Sequence, residues 1–300
     1  MEMWQLRYAV AVARTGNFSR AAEQCHVSQP SLSQQIQKLE DELGERLFDR
    51  LKRQVKLTPA GEVFLPRAVR ILAEVAAAKR DAAEATGLLR GVVTVGVLPT
   101  IAPYLLPTVL GEFRKRYPGV EIVVQEDTTA QLLKLLTAGE ADFVLASQPI
   151  QDARLEVLQL FTEELLLALP PGHPLARQRT VRASALAREP LIVMKEGHCL
   201  GDQVRGFCDR REVHPNISFR SAQLETIQSL VSAGMGLSLV PAMAVQSGRK
   251  DVPAYRPLAT PKPQRTIVAV WSKQRPPARA AAELMKIISG RYGECEGKPR

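Results

Sequence analysis

The stretch with the most chemistry in this chain is "GHCLGDQVRGFC", Gly197 to Cys208. It holds two of the four cysteines, nine positions apart, with a histidine just before the first. Three chemistries fit such a set: a metal clip, a packed helix that happens to contain sulfur, or a thiol–disulfide switch. His198, Cys199, Cys208 and His214 suffice by count for zinc. Against zinc, a helix points the adjacent His198 and Cys199 in different directions, and no CxxC spacing occurs.

Leu200, Val204 and Phe207 recur at i, i+4 and i+7, so a helix is expected to begin near Cys199. Along an ideal helix nine residues rise about 13.5 Å and turn about 900°, which sets Cys199 and Cys208 on opposite sides. A disulfide needs Cα atoms within about 7 Å. A continuous helix therefore forbids the bridge unless it melts, and Gly201 and Gly206 weaken it by about 1 kcal/mol each relative to alanine. Closing a loop of this length stabilises by only roughly 2.5–3 kcal/mol, so a bridge here is expected to be strained and easily reduced. Cys199, at the helix start, faces unpaired amides that favour an anion. With His198, Lys195 and Arg205 adding positive potential, its thiol pKa is expected to fall below the usual ~8.5. Cys208, beside the apolar stripe, is expected to be sheltered.

The elements that must carry this segment follow from periodicity. Beyond Gly91, strand patterns such as "VVTVGVL", "VEIVVQE", "PLIVM" and "TIVAVWS" alternate with helical ones at 101–117, 200–211, 223–234 and 277–290. That alternation predicts α/β units with a mainly parallel sheet, and roughly 210 residues are enough for two lobes with a cleft between them. Residues 60–86 form one long amphipathic helix, whose stripe (Phe64, Ala68, Ile71, Leu72, Val75, Ala78, Ala82) is too long to bury on a sixty-residue head and is expected to pair with a second copy.

The first sixty residues read as short helices and a small wing. "SQPSLSQQIQKLEDELG" opens with Ser28 and Pro30, buries a stripe of Leu32, Ile36, Leu39 and Leu43, and stops at Gly44. With the helix before it, it makes a helix-turn-helix. Ser31, Gln34 and Gln35 avoid the stripe and suit base-edge hydrogen bonds in a major groove. Ser28 and the free amides at the helix start suit a phosphate. Lys52 and Arg53, at the tip of the wing, add affinity more than specificity. The candidate DNA-contacting set is Ser28, Gln29, Pro30, Ser31, Ser33, Gln34, Gln35, Lys38, Lys52 and Arg53.

Composition sets bounds on these readings. Three hundred residues exceed one ordinary core. The net charge of +9 suggests a polyanionic partner, but residues 1–59 carry nine Lys/Arg against seven Asp/Glu, so bulk charge does not locate the site. No run of eighteen apolar residues is present, so no membrane span is expected. "MEMWQLRYAV" lacks the pattern of a secretory signal. A cytoplasmic chain in a reducing pool is the expectation, where paired cysteines are more often sensing, catalytic or metal-binding than structural.

"FSRAAEQCHVSQPSLSQQIQKLEDELGERLFDR" with "LTPAG" resembles the DNA-binding head of LysR-type transcriptional regulators. "GHCLGDQVRGFC", "LETIQSLVSAGMGLSLVPAMAV", "LPTIAPYLLP" and "PKPQRTI" are similar to the hydrogen peroxide-sensing subgroup of that family. The resemblance implies a winged helix-turn-helix over residues 1–59 and a linker and dimerisation helix over 60–90. It implies a two-lobed α/β effector domain, like a periplasmic binding protein, over 91–300. It implies Cys199 as the peroxidatic cysteine and Cys208 as the resolving one. Thr100, Thr129, His198, Asp202 and Arg265 are implied around the peroxide. The implied partners are a double-stranded DNA operator, RNA polymerase, hydrogen peroxide as effector and further copies of the chain, as a homodimer or homotetramer. No cofactor, no metal, no membrane and no enzymatic activity are implied. Cys25 reads as a small core residue of the head and Cys295 as incidental. One position departs from the pattern: the subgroup often carries a basic residue where this chain has Gly201, which removes one charge that would stabilise a thiolate. The alternative within the family is a regulator that binds a small anionic metabolite in the cleft, with the cysteines as packing. A ligand-binding protein or hydrolase without DNA binding leaves the head unexplained, and no nucleophile elbow, phosphate loop or HExxH is present.

Overall fold

The computed structural model describes residues 1–51, 54–84, 90–245 and 252–292. Lys52, Arg53 and Cys295 lie outside the described residues. The chain divides into two compact units.

The first unit holds α1 (Met3–Thr15), α2 (Phe18–Gln24), α3 (Gln29–Leu43), the antiparallel hairpin β1 (Phe48–Leu51) and β2 (Gln54–Leu57), and α4 (Pro59–Glu84). Local chemistry sets its boundaries. Asn17 caps α2 by accepting from the N–H groups of Ser19 and Arg20 at 2.8 and 3.1 Å. Ser28 caps α3 by accepting from Ser31 N–H, and Gly44 ends that helix in the left-handed region at φ 71°. Leu32, Ile36 and Leu39 pack with Ala9, Val12, Ala21, Leu47 and Phe48 into the head core. Leu43 departs from the expected stripe: it is the last residue of the helix and is 38% exposed. Glu40 takes the inner position instead, accepting from the backbone N–H groups of Leu47 and Phe48 and so tying α3 to the wing. Along α4 the stripe is covered only in part. Ala68 is buried, whereas Val63 and Ile71 are exposed.

The second unit runs β3 (Gly91–Val97), α5 (Ala102–Arg116), β4 (Val120–Glu126), α6 (Thr129–Thr137), β5 (Phe143–Ser147), β6 (Leu155–Leu169), β7 (Pro190–Met194), α7 (Cys199–Arg210), β8 (Asn216–Ser221), α8 (Leu224–Ser232), β9 (Ser238–Pro241), β10 (Ala254–Arg256), β11 (Gln264–Ser272) and α9 (Arg279–Tyr292). It has two hydrophobic cores, one per lobe. The first collects β3, β5, β11, α5, α6 and α9; the second collects β7, β9, α7 and α8. Strand β6 serves both, giving Leu155 and Leu160 to the first and Leu165, Leu167 and Leu169 to the second.

The expected mainly parallel sheet is corrected here. Strand β3 pairs in parallel with β4 and β5, but β11 pairs antiparallel with both β5 and β6, and β6 antiparallel with β9 and β10. The reason is the path of the chain. Strand β6 carries it out of the first lobe and β11 brings it back alongside, and an outgoing and a returning strand are antiparallel by construction. This pair places residues far apart in sequence, such as Glu163 and Arg265, directly opposite each other.

Candidate functional site

Cys199 is the first residue of α7. Strand β7 ends at Met194, Gly197 turns the chain at φ 87°, and His198 takes the N-cap position with no side-chain capping bond. The stripe of α7 consists of Leu200, Gly201, Val204, Phe207 and Cys208, all buried in the second lobe. Cys199 points the other way and packs partly against the core of the first lobe. The two thiols thus belong to different cores, and Cys208 is 3% exposed. Gly201 has a structural reason. A Cβ there would stand 2.8 Å from the Met194 carbonyl oxygen, so the absence of a side chain lets α7 lie directly on the end of β7.

A cavity of about 920 Å³ opens beside Cys199, and Thr129, Asp202 and Arg265 line it with the cysteine. Of the other residues expected there, Thr100 stands behind Arg265. Arg265 Nη1 donates to Thr100 Oγ1 at 2.8 Å and Nη2 to the Thr100 carbonyl at 3.1 Å. His198 does not line the cavity; as the N-cap it orients the first turn of α7.

Three further participants escape sequence reasoning. Glu163 accepts from Arg265 Nε at 2.8 Å through one oxygen and from the Met243 N–H at 2.9 Å through the other. Gln203 donates from Nε2 to Ser147 Oγ at 2.7 Å and to the Gln148 carbonyl at 3.0 Å, bridging α7 to the end of β5. The Ser147 hydroxyl is turned by its own bond to the Thr266 carbonyl at 3.3 Å. Only Gln203 had a local signal, since it lies four residues after Cys199 on the same helical face.

The electrostatics correct one expectation. Burial pushes the Cys199 thiol above its ordinary value rather than below it. The Arg265 guanidinium opposes this most, followed by the Thr129 hydroxyl and the Leu200 N–H, while the Asp202 carboxylate adds to the rise. The helix start therefore does favour the thiolate, as expected, but desolvation outweighs it. The charge that acts is Arg265, not the exposed Lys195 or Arg205 nearest in sequence. Arg205 is turned towards Glu196, at 4.0 Å. The Thr129 oxygen is buried and has no other partner. Burial and the neighbouring Asp209 raise the Cys208 thiol as well. Among the described residues no cluster of three or more His, Cys, Asp or Glu is arranged to hold a metal ion.

The head presents a separate surface. Ser28, Gln29, Pro30, Ser31, Gln34 and Lys38 are exposed along the start and outer face of α3, with Ser33 and Gln35 half-buried beside them. Residues 3–62 match the family model described as a bacterial regulatory helix-turn-helix protein of the lysR family, and residues 86–292 match the LysR substrate binding domain. The chain belongs to the LysR family. Among its relatives are the DNA-binding transcriptional dual regulator OxyR of Escherichia coli K12, 38% identical over 97% of this chain and 96% of that one. A probable hydrogen peroxide-inducible genes activator of Mycobacterium avium is 40% identical over 94% of this chain and 92% of its own. The fold of a full-length OxyR variant from Pseudomonas aeruginosa superposes with a TM-score of 0.76 at 32% identity, covering 99% of both chains. Full-length CbnR in complex with its target DNA gives a TM-score of 0.71 at 27% identity, over 96% of this chain and 99% of that one. No helix among the described residues is long and apolar enough to cross a membrane.

Proposed function

We propose that this chain is a DNA-binding transcription regulator that senses hydrogen peroxide through Cys199 and Cys208 and controls oxidative-stress genes. One observation carries the reading. A thiol in a polar-headed cavity, beside a buried guanidinium, begins a continuous twelve-residue helix whose tenth residue is a second, sheltered thiol. Relatives named for OxyR and for hydrogen peroxide-inducible genes support it.

The chemistry runs in two steps. The Cys199 thiolate attacks one oxygen of the peroxide; an S–O bond forms, the O–O bond breaks, and hydroxide leaves and takes a proton to become water. Arg265 and Thr129 favour the charge of the attacking sulfur, and Thr100 and Glu163 hold Arg265 in place. Cys208 then attacks the sulfenic acid, an S–S bond forms, and a second water leaves. The helix keeps the thiols roughly 13.5 Å apart along its axis, beyond disulfide reach, so the second step requires α7 to unwind. The bonds from Gln203 to Ser147 and Gln148 are lost with it, and the contact between the lobes changes. Residues 1–59 read DNA through Ser28, Gln29, Pro30, Ser31, Ser33, Gln34, Gln35 and Lys38, together with Lys52 and Arg53. Residues 60–90 pair two copies and residues 91–300 sense the oxidant. The active species is a cytoplasmic homodimer or homotetramer that contacts RNA polymerase. The peroxide is a signal consumed once per switch, not the substrate of a turning-over enzyme.

Mass-spectrometric thiol mapping before and after a peroxide pulse tests the reading. The expected product is a Cys199–Cys208 disulfide with Cys25 untouched. Unmodified Cys199 after the pulse, together with thermal stabilisation by a small anionic metabolite, would replace the peroxide reading with a metabolite-binding one.

A further inference from the structure

The cavity is much larger than hydrogen peroxide requires. A molecule of two oxygens needs roughly 30 Å³, against the about 920 Å³ present. The cavity continues away from the sulfur along an apolar wall.

The arrangement is directional. The groups that act on the sulfur, Thr129, Asp202 and Arg265, form its polar head. One helical turn past Thr129 on α6, Leu133 lines the same cavity, and Leu165, Phe207, Pro149 and Pro263 continue the wall. Leu133 is half-buried and packs partly on the first core, so the wall is held in place. Charge along the wall favours no anion strongly. Arg265 is already paired with Glu163, and the rest of the lining carries one carboxylate, Asp202, and one further cation, Arg210. An apolar surface next to water is costly, and burying a compact uncharged tail there is favourable by about 25 cal/mol per Å².

Taking Cys199 as the peroxide-reactive thiol, as proposed above, we infer that this site also accepts organic hydroperoxides with a compact, uncharged apolar tail. The hydroperoxide group lies at the sulfur and the tail against Leu133 and Phe207. The Cys199 thiolate attacks the terminal oxygen, the S–O bond forms and the O–O bond breaks. The sulfur is oxidised by two electrons, and the alkoxide that leaves takes a proton from water to become an alcohol. Cys208 then closes the disulfide and releases water, as with hydrogen peroxide.

The test uses the reduced full-length protein and compares second-order rate constants of Cys199 oxidation by hydrogen peroxide, tert-butyl hydroperoxide and cumene hydroperoxide. Cumene hydroperoxide is expected to react at least as fast as the smaller tert-butyl compound. Leu133→Trp, which fills the wall, is expected to lower the ratio of the cumene to the hydrogen peroxide rate constant by about tenfold or more. Leu133→Ala, which opens it, is expected to hold or raise that ratio. Because each ratio is taken within one protein, a general distortion of Cys199 cancels. Oxidation by hydrogen peroxide with rates that fall steeply with tail size, or a ratio unchanged in Leu133→Trp, overturns the inference and leaves the peroxide reading standing. Failure of every oxidant to reach Cys199 overturns both.

Discussion

Arg265 and Glu163 face each other across the β6–β11 pair, with Nε and Oε1 2.8 Å apart and side chains 0% and 8% exposed. The other two nitrogens of the guanidinium are used on Thr100. Arg265 is therefore a fixed positive charge, and it is the strongest influence holding the Cys199 proton down against burial. An opposite charge at close range moves a pKa by about 1–3 units. Arg265→Gln should shift the midpoint of the pH profile for Cys199 alkylation by about one unit upward. Glu163→Gln, which removes the countercharge, should shift it by less and downward. A midpoint that does not move in Arg265→Gln, or moves down, would sink this account. The sign extends to stability. Folded Cys199 holds its proton to higher pH than an unfolded thiol, so this contribution is complete below the unfolded value of about 8.5 and is lost as pH rises through it towards the folded value.

The two thiols carry different parts of the proposed chemistry, and serine variants separate them. Cys199→Ser is expected to bind operator DNA normally and to show no thiol loss in the 199–208 segment after peroxide. Cys208→Ser is expected to react at Cys199 and stop at the sulfenic acid, which a dimedone-type trap reads by mass. A full transcriptional response to peroxide in Cys199→Ser ends the redox model.

Much of α7 is legible in the sequence because its signals are local. Leu200, Val204 and Phe207 at i, i+4 and i+7 set the buried face, and that face with the helical rise sets Cys199 and Cys208 apart. The head is legible for the same reason, through Asn17, Ser28 and Gly44 at helix ends. What periodicity does not carry is pairing between distant segments. Glu163 meets Arg265 only because β6 and β11 run in opposite directions in one register, and no spacing within either strand encodes that. The direction of the Cys199 shift fails for the same reason. The helix start and the local basic residues are visible in sequence, but burial against the first lobe is a tertiary fact. Leu43 shows the reverse limit, a residue in phase with its stripe but left exposed at the end of α3.

Gln203 stands between the resting helix and the disulfide. Its two bonds reach across from α7 to Ser147 and Gln148, and its remaining oxygen is buried without a partner. The net worth of such bonds is about 1–2 kcal/mol for the pair, less the cost of the orphaned oxygen. Gln203→Leu should therefore favour the unwound segment and raise the rate of disulfide closure relative to sulfenic acid formation by a factor of up to roughly 5–30. Stopped-flow kinetics that resolve the two steps provide the readout. Equal changes in both steps, or slower closure, would show that Gln203 does not restrain the switch.

Gly201 gives the sharpest sign. In an exposed helix interior, glycine to alanine stabilises by about 1 kcal/mol through helix propensity. At this position the added Cβ meets the Met194 carbonyl oxygen at 2.8 Å, a backbone atom at the end of β7 that cannot rotate away. Overpacking of this kind costs about 1–3 kcal/mol, more than propensity returns. Gly201→Ala is expected to lower Tm, whereas the same change at Gly206, whose nearest neighbour is the flexible end of Arg210 at 3.3 Å, is expected to hold or raise it. The pair also bears on the switch. A substitution that lifts α7 off β7 weakens the resting helix, so Gly201→Ala should form the Cys199–Cys208 disulfide at lower peroxide than the parent, and Gly206→Ala at higher. A higher Tm in Gly201→Ala would mean that the contact with Met194 gives way easily, and that Gly201 matters here only as a missing charge.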